Sequence, residues 1–189
     1  MQPATAVIAD LVAAVEPWDD LEHLHRTRTL AWLSTTDDIF RRIAPATPSR
    51  HLVAYTVLTD PDAPAIYLGL HRKSGLHLPM GGHVDPGEHP AAAARREARE
   101  EIGITPAFDV VGDNPFFLTV TTVTKPARHV DVSLWHVIRG SRTRSYPLDP
   151  GEFEGGEWWD LDSDDFPPSD PHLPRFTRKL AAALTRGGQ

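Results

Sequence analysis

The sequence predicts a mixed α/β sandwich, because strand-like segments are interrupted by one helical segment and followed by another. Apolar runs with strand character occupy residues 51–60 and 65–72, and a short strand is expected at 76–78. The Ala-, Glu- and Arg-rich stretch from Pro90 to Ile102 has high helix propensity, and Gly103 fits the residue after a helix C-terminus. Further strands are expected at 107–111, 116–123, 129–138 and 157–162.

Two regions are expected along the chain, an N-terminal helical extension at 1–47 and a main domain at 48–189. Helical spacing of apolar residues in the extension predicts a first helix over 5–15 and a second from about Asp19 to Leu33. A third helix is expected to start at Thr36 and to bury Ile39, Phe40 and Ile43. The main domain should end with a helix that carries Phe176, Leu180 and Leu184. The extension's apolar stripe would pack on its own domain or form a homodimer interface.

The composition of the chain excludes several classes of protein and of site. The 189 residues carry a formal net charge of −7, whereas a surface that binds polymeric nucleic acid is normally basic. There is no cysteine, which excludes disulfides, thiolate metal sites and a cysteine nucleophile. No apolar run reaches the length of a transmembrane helix, so we expect no membrane partner and a cytoplasmic location.

Three carboxylates share one edge of the helix at 90–102. At about 100° per residue, Glu97, Glu100 and Glu101 fall within a sector of roughly 100°, beside a stripe of small alanines that favours close packing. Like charges at this spacing repel, and partial burial increases the repulsion. A divalent cation such as Mg²⁺ would offset it. Taken alone, the pattern also fits a surface helix in which Arg96 pairs with Glu100.

The surrounding segment, Gly82–Ile104, reads GHVDPGEHPAAAARREAREEIGI and resembles the Nudix box. That motif has the pattern G-x5-E-x7-R-E-U-x-E-E-x-G-U, in which U is a bulky aliphatic residue. Seven fixed letters match, at Gly82, Glu88, Arg96, Glu97, Glu100, Glu101 and Gly103. At ordinary residue frequencies this coincidence occurs about once in 10⁸ starting points. One departure from the family's pattern is Ala98, which is smaller than the usual aliphatic residue, and a second is Met80, where proline is common before the two glycines.

The resemblance implies a Nudix-like α/β/α sandwich with a mixed sheet. It also implies that Glu97, Glu100 and Glu101 bind Mg²⁺, or Mn²⁺ as an alternative, with the carbonyl of Gly81 as a further ligand. Arg96 would pair with Glu88 and hold the loop against the helix. The general base would be Glu97 or Glu100, or a carboxylate from the later stretch that contains Glu152, Glu154 and Glu157. Within that stretch Glu154 is preferred, because Gly155 and Gly156 would let a loop move.

The expected function is pyrophosphohydrolysis of a small nucleoside diphosphate linked to a moiety X. One alternative is a Nudix-fold sensor that binds a nucleotide without cutting it, although a sensor would more naturally lack a glutamate of the box. An isoprenoid diphosphate isomerase is another, but that family uses a cysteine that this chain lacks. Substrate-binding residues are not identified. His83 and His89 flank the loop as phosphate contacts or solvent-facing residues, and His129 and Asp131 are expected to share one strand face.

Overall fold

A computed structural model of the chain describes residues 4–44, 46–125 and 127–187. The elements in chain order are α1 (Ala4–Ala14), α2 (Asp20–Leu33), β1 (Arg50–Asp60), β2 (Ala65–His71), β3 (His77–Leu78), β4 (Met80–His83), α3 (Pro90–Ile102), β5 (Phe117–Val123), β6 (His129–Arg139), β7 (Phe153–Asp160) and α4 (Leu173–Gly187). None of the helices in the described ranges is long and apolar enough to span a membrane.

The seven strands form one mixed sheet, as the sequence predicts. Its main order is β3-β2-β1-β6-β5, while β4 pairs with β1 and β7 pairs with β2. The pairs β1–β2, β2–β7 and β5–β6 are antiparallel. In contrast, β1 and β6 run in the same direction, because Val130 N–H donates to Ser49 O and Gly140 N–H donates to Thr59 O, both at 2.7 Å.

The chain forms two compact units. The first unit comprises Met1–Tyr55, Gly82–Ala94 and Asn114–His136, and the second comprises Thr56–Gly81, Arg95–Asp113 and Val137–Gln189. Strands β1, β4 and β6 and helix α3 each contribute residues to both units.

The first unit is built on apolar side chains from α1, α2 and the strands. Ile8, Val12, Leu52 and Leu134 are all buried in its core. Within this unit the fully buried carboxylate of Glu22 on α2 accepts hydrogen bonds from the backbone N–H groups of Trp18 and Leu118, at 2.7 and 3.1 Å. Ile8 and Val12 of the N-terminal extension are therefore buried within the unit that contains them, whereas Trp18, Leu21 and Leu24 are each 39% exposed.

The second unit buries Leu58, Met80, Ala98, Ile102 and Ile138 together. Its part of α3 ends as predicted, at a glycine in the left-handed conformation. Gly103 has φ +68° and its N–H donates to Arg99 O, while Ile104 N–H donates to Ala98 O. The left-handed backbone there is the conformation that glycine adopts at least cost. This turn fixes the end of the helix that carries the glutamates.

Two predicted elements are wrong. Residues 36–43 form no helix, because Thr36 Oγ1 accepts from Asp38 N–H in a local turn and Ile39 O accepts from Leu52 N–H. Ile43, predicted to be buried, is 61% exposed.

Residues 107–111 form no strand. Pro106 and Pro115 supply no N–H donors, and Gly112 at φ +92° turns the backbone. Phe108 packs under the Arg95 guanidinium, 4.4 Å from its ring centre, instead of lying in a ladder.

Candidate active site

The acidic edge of α3, formed by Glu97, Glu100 and Glu101, is not buried uniformly. Glu97 and Glu101 are each only 8% exposed, whereas the Glu100 side chain is 58% exposed. Ala98 and Ile102 on the same helix are fully buried in the second unit, and they draw this edge toward the core. The acidic edge is therefore partly buried, and it also contains the Arg96–Glu100 pair, at 3.3 Å, that the alternative of a surface helix predicts.

Glu101 is held by the backbone of Gly81. The Gly81 N–H donates to Glu101 Oε2 at 2.8 Å, so the structure brings together these two predicted metal-binding residues. Burial raises the pKa of Glu101 to about 8, with the negative charges of Glu97, Glu152 and Asp149 acting in the same direction against the Gly81 hydrogen bond. A carboxylate in such a place is suited to a neighbouring cation, because a cation favours its ionised form.

Arg96 supplies positive charge next to the acids. Its Nη1 donates to Glu97 Oε1 at 2.6 Å and to Glu100 Oε2 at 3.3 Å. Glu88 belongs to the first unit, where its carboxylate accepts from Asp85 N–H at 3.1 Å and shapes the loop before α3. The pairing of Arg96 with Glu88 stays a prediction.

The stretch before β7 contributes acids to the surroundings of Glu101. Asp149 N–H donates to Glu101 O at 2.8 Å, and Asp149 is a neighbour that sequence reasoning missed. Glu152 pairs with Lys73 at 3.0 Å and adds negative charge near Glu101. Glu154, the predicted base, is exposed and lies 3.5 Å from Arg72 Nη1. It stands on β7 and not in a loop, because β7 begins at Phe153, earlier than the predicted 157–162.

The histidines near the motif differ in their surroundings. His89 is exposed. His83 is partly buried, with its ring centre 4.9 Å from that of His51. Burial, followed by the charges of Arg41 and His51, lowers the pKa of His83 to about 3. Among the described residues His51, His129 and Asp131 also form a group that could hold a metal ion, and sequence reasoning named only the last two.

Four aromatic residues of the sheet divide between core and partly exposed positions. Phe117 and Trp135 are fully buried, and Trp135 Nε1 donates to Thr119 Oγ1 at 2.9 Å, so both are core residues. Trp158 and Trp159 on β7 are each partly exposed. Trp158 packs against Tyr67, with ring centres 5.4 Å apart.

Comparison with known proteins agrees with this arrangement. A family model described as NUDIX domain matches residues 49–180. The chain is 33% identical over 114 residues to an 8-oxo-dGTP diphosphatase of Escherichia coli (strain K12), a match that covers 57% of this chain and 78% of the relative.

Solved structures show the same fold at low sequence identity. A NUDIX-family hydrolase from Clostridium perfringens aligns with TM-score 0.53 and 21% identity over 70% of this chain and 97% of its own. A C. elegans Ap4A hydrolase aligns with TM-score 0.53 and 19% identity over 71% of this chain and 98% of its own. The predicted Nudix-like α/β fold is thereby confirmed. The chain belongs to the Nudix hydrolase family, whose members act on phosphoanhydride bonds.

Proposed function

We propose that this chain is a Mg²⁺-dependent pyrophosphohydrolase that cleaves a nucleoside diphosphate linked to a moiety X. The observation that carries the proposal is the buried pair Glu97 and Glu101, with Glu101 fixed by the Gly81 amide. The names of two relatives support the substrate class, since one is an 8-oxo-dGTP diphosphatase and the other an Ap4A hydrolase. Both names specify small nucleotides with linked phosphates.

The residues present fit a hard divalent cation. Glu97, Glu100 and Glu101 offer carboxylate oxygens and Gly81 offers a carbonyl, and Mg²⁺ prefers oxygen ligands together with retained water. Mn²⁺ suits the same donors. When bound, the ion would neutralise phosphate oxygens and lower the pKa of a water molecule.

The chain's own groups have separate tasks in this proposal. Arg96 holds Glu97 at 2.6 Å, which fixes the carboxylate of a metal ligand. The Gly81 amide orients Glu101 so that one carboxylate oxygen is committed to the backbone and the other stays available. Glu154, Glu97 or Glu100 would accept the proton from the attacking water. Glu152 joins these candidates because its charge acts on Glu101.

The test is a panel of nucleoside diphosphate and triphosphate derivatives, assayed with Mg²⁺ and with products identified by mass. Glu101→Gln should abolish turnover while it leaves the melting temperature unchanged or slightly raised, because the amide has nearly the size of the carboxyl group and cannot carry a buried negative charge. Glu16→Gln, at an exposed glutamate on the N-terminal side of α2, is the matched control and should keep full activity.

Two results would contradict the proposal. Retained turnover by Glu101→Gln would remove Glu101 from the metal site. A nucleotide that binds the folded wild-type chain and is recovered intact would favour the sensor over the hydrolase. Glu152→Gln and Glu154→Gln, compared across pH, test two of the four candidate bases, since loss of the base removes the acidic limb of the rate profile.

A further inference from the structure

Three side chains of the first unit converge at a place that the proposed hydrolysis does not use. His51 lies on β1, and His129 and Asp131 lie on one face of the neighbouring parallel strand β6. His51 Nε2 is 3.2 Å from Asp131 Oδ1, and His129 Nε2 is 3.4 Å from the same oxygen. One ligand atom from each residue lies within 4.8 Å of the others.

The hydrogen bonds of the two rings fix where their protons are. His51 Nδ1 lies 2.8 Å from Pro48 O, and His129 Nδ1 lies 2.7 Å from Ala127 O. A carbonyl oxygen only accepts, so each Nδ1 carries the hydrogen. In the neutral rings both Nε2 atoms therefore turn lone pairs toward the Asp131 carboxylate. This is the arrangement in which a backbone carbonyl orients a metal-binding histidine.

Two of the three converging atoms are buried without a hydrogen-bond partner among the described residues. His51 is fully buried, and within the described ranges neither its Nε2 nor Asp131 Oδ1 has a hydrogen-bond partner despite their 3.2 Å separation. The two imidazole rings lie with their centres 5.2 Å apart. A single cation between the three atoms would satisfy all of them.

We propose that His51, His129 and Asp131 bind a transition-metal cation of the Zn²⁺ class, with the remaining position left to water. Ligands of a tetrahedral Zn²⁺ at about 2.0–2.1 Å lie roughly 3.3 Å from one another, and two imidazole rings on it have centres about 5 Å apart. The separations of 3.2, 3.4 and 5.2 Å agree with these values. Two imidazoles with one carboxylate also favour such a metal over Mg²⁺, which prefers oxygen.

None of the three residues belongs to the proposed magnesium site, so this inference does not depend on the hydrolytic activity. The full chain, stripped of metal with a chelator, would be titrated with Zn²⁺ in a large excess of Mg²⁺ against a colorimetric Zn²⁺ indicator. We expect one equivalent of Zn²⁺ to bind, and the same equivalent to bind to Glu101→Gln. Saturating Zn²⁺ should raise the melting temperature by about 5 °C or more.

Single substitutions test which side chains bind the cation. Asp131→Asn and His129→Gln should each weaken Zn²⁺ binding at least tenfold and remove the thermal shift, whereas His23→Gln, at an exposed histidine of the same unit, should change neither. Co²⁺ in place of Zn²⁺ should give visible absorption bands that Asp131→Asn alters, and this readout stands if His129→Gln fails to fold. The proposal is overturned if the wild-type chain binds no Zn²⁺ in excess Mg²⁺, or if folded Asp131→Asn binds it unchanged.

Discussion

Arg96→Ala is the substitution that most directly tests how the acidic edge is stabilised. The guanidinium donates to Glu97 at 2.6 Å and to Glu100 at 3.3 Å, and its side chain is 27% exposed. Removing it leaves Glu97, whose side chain is 10% exposed, beside Glu101 without that neutralising charge. Above the pKa of Glu101, which burial raises to about 8, the two carboxylates would then repel across a partly buried space.

The expected loss of stability in Arg96→Ala can be divided between its contacts with Glu97 and Glu100. A hydrogen bond to a largely buried charged group contributes about 1.5–3 kcal/mol, which applies to Glu97. The contact with Glu100 adds little, because that side chain is 58% exposed and exposed ion pairs contribute about 0–1 kcal/mol. A total near 2 kcal/mol corresponds to a fall in melting temperature of roughly 4–8 °C for a chain of this size.

The assay is thermal unfolding with and without Mg²⁺, together with turnover on the best substrate of the panel. We expect the fall in melting temperature to be larger without Mg²⁺ than with it, because a bound cation replaces part of the lost positive charge. Arg99→Ala, at an exposed arginine of the same helix, is the control and should leave stability and turnover unchanged. An Arg96→Ala chain with normal turnover and an unchanged melting temperature would falsify the role given to Arg96.

Two further predictions concern single contacts within each unit. Glu22→Gln should lower the free energy of unfolding in urea by about 1–3 kcal/mol. The two buried oxygens of Glu22 accept from the N–H groups of Trp18 and Leu118, and an amide turns one acceptor into a donor. An unchanged urea midpoint would mean that the amide finds other partners. Gly156→Ala should destabilise by about 1–3 kcal/mol, because a Cβ there would lie 2.6 Å from Tyr67 Oη and 2.8 Å from Leu148 Cδ1. Gly155→Ala meets nothing within 4 Å and should be tolerated, so equal losses at both glycines would refute the steric reasoning.

The elements nearest the motif could be predicted because each has its own local signal. The helix α3 runs from Pro90 to Ile102 as expected, since alanine, glutamate and arginine favour a helix and Gly103 can take the left-handed turn that ends it. Strands β1 and β2 agree with their predicted ranges within one residue because turn-forming prolines separate two apolar runs. The segment at 107–111 misled the prediction, since its apolar residues pack as a loop and not as a ladder.

The site itself was predictable only as far as its residues follow one another in the chain. The spacing of Glu97, Glu100 and Glu101 fixes their shared edge, but the sequence does not indicate that Glu100 is exposed while the other two are buried. Nor does it indicate Asp149, which reaches the Glu101 carbonyl from a stretch far along the chain. Burial and long-range contacts of this kind depend on tertiary packing, which local propensity does not encode.

The group of His51, His129 and Asp131 could also be predicted only in part from the sequence. Alternation along β6 correctly places His129 and Asp131 on one face, and their atoms lie 3.4 Å apart. What alternation could not supply is the partner strand and its direction. Because β1 runs parallel to β6, the register that joins Ser49 to Val130 also brings His51 beside Asp131. A shift of one residue would turn His51 to the other face and leave the aspartate with a single imidazole. The proposed Zn²⁺ site therefore depends on strand register, whereas the proposed Mg²⁺ site depends on helix periodicity, and the two proposals can be tested independently.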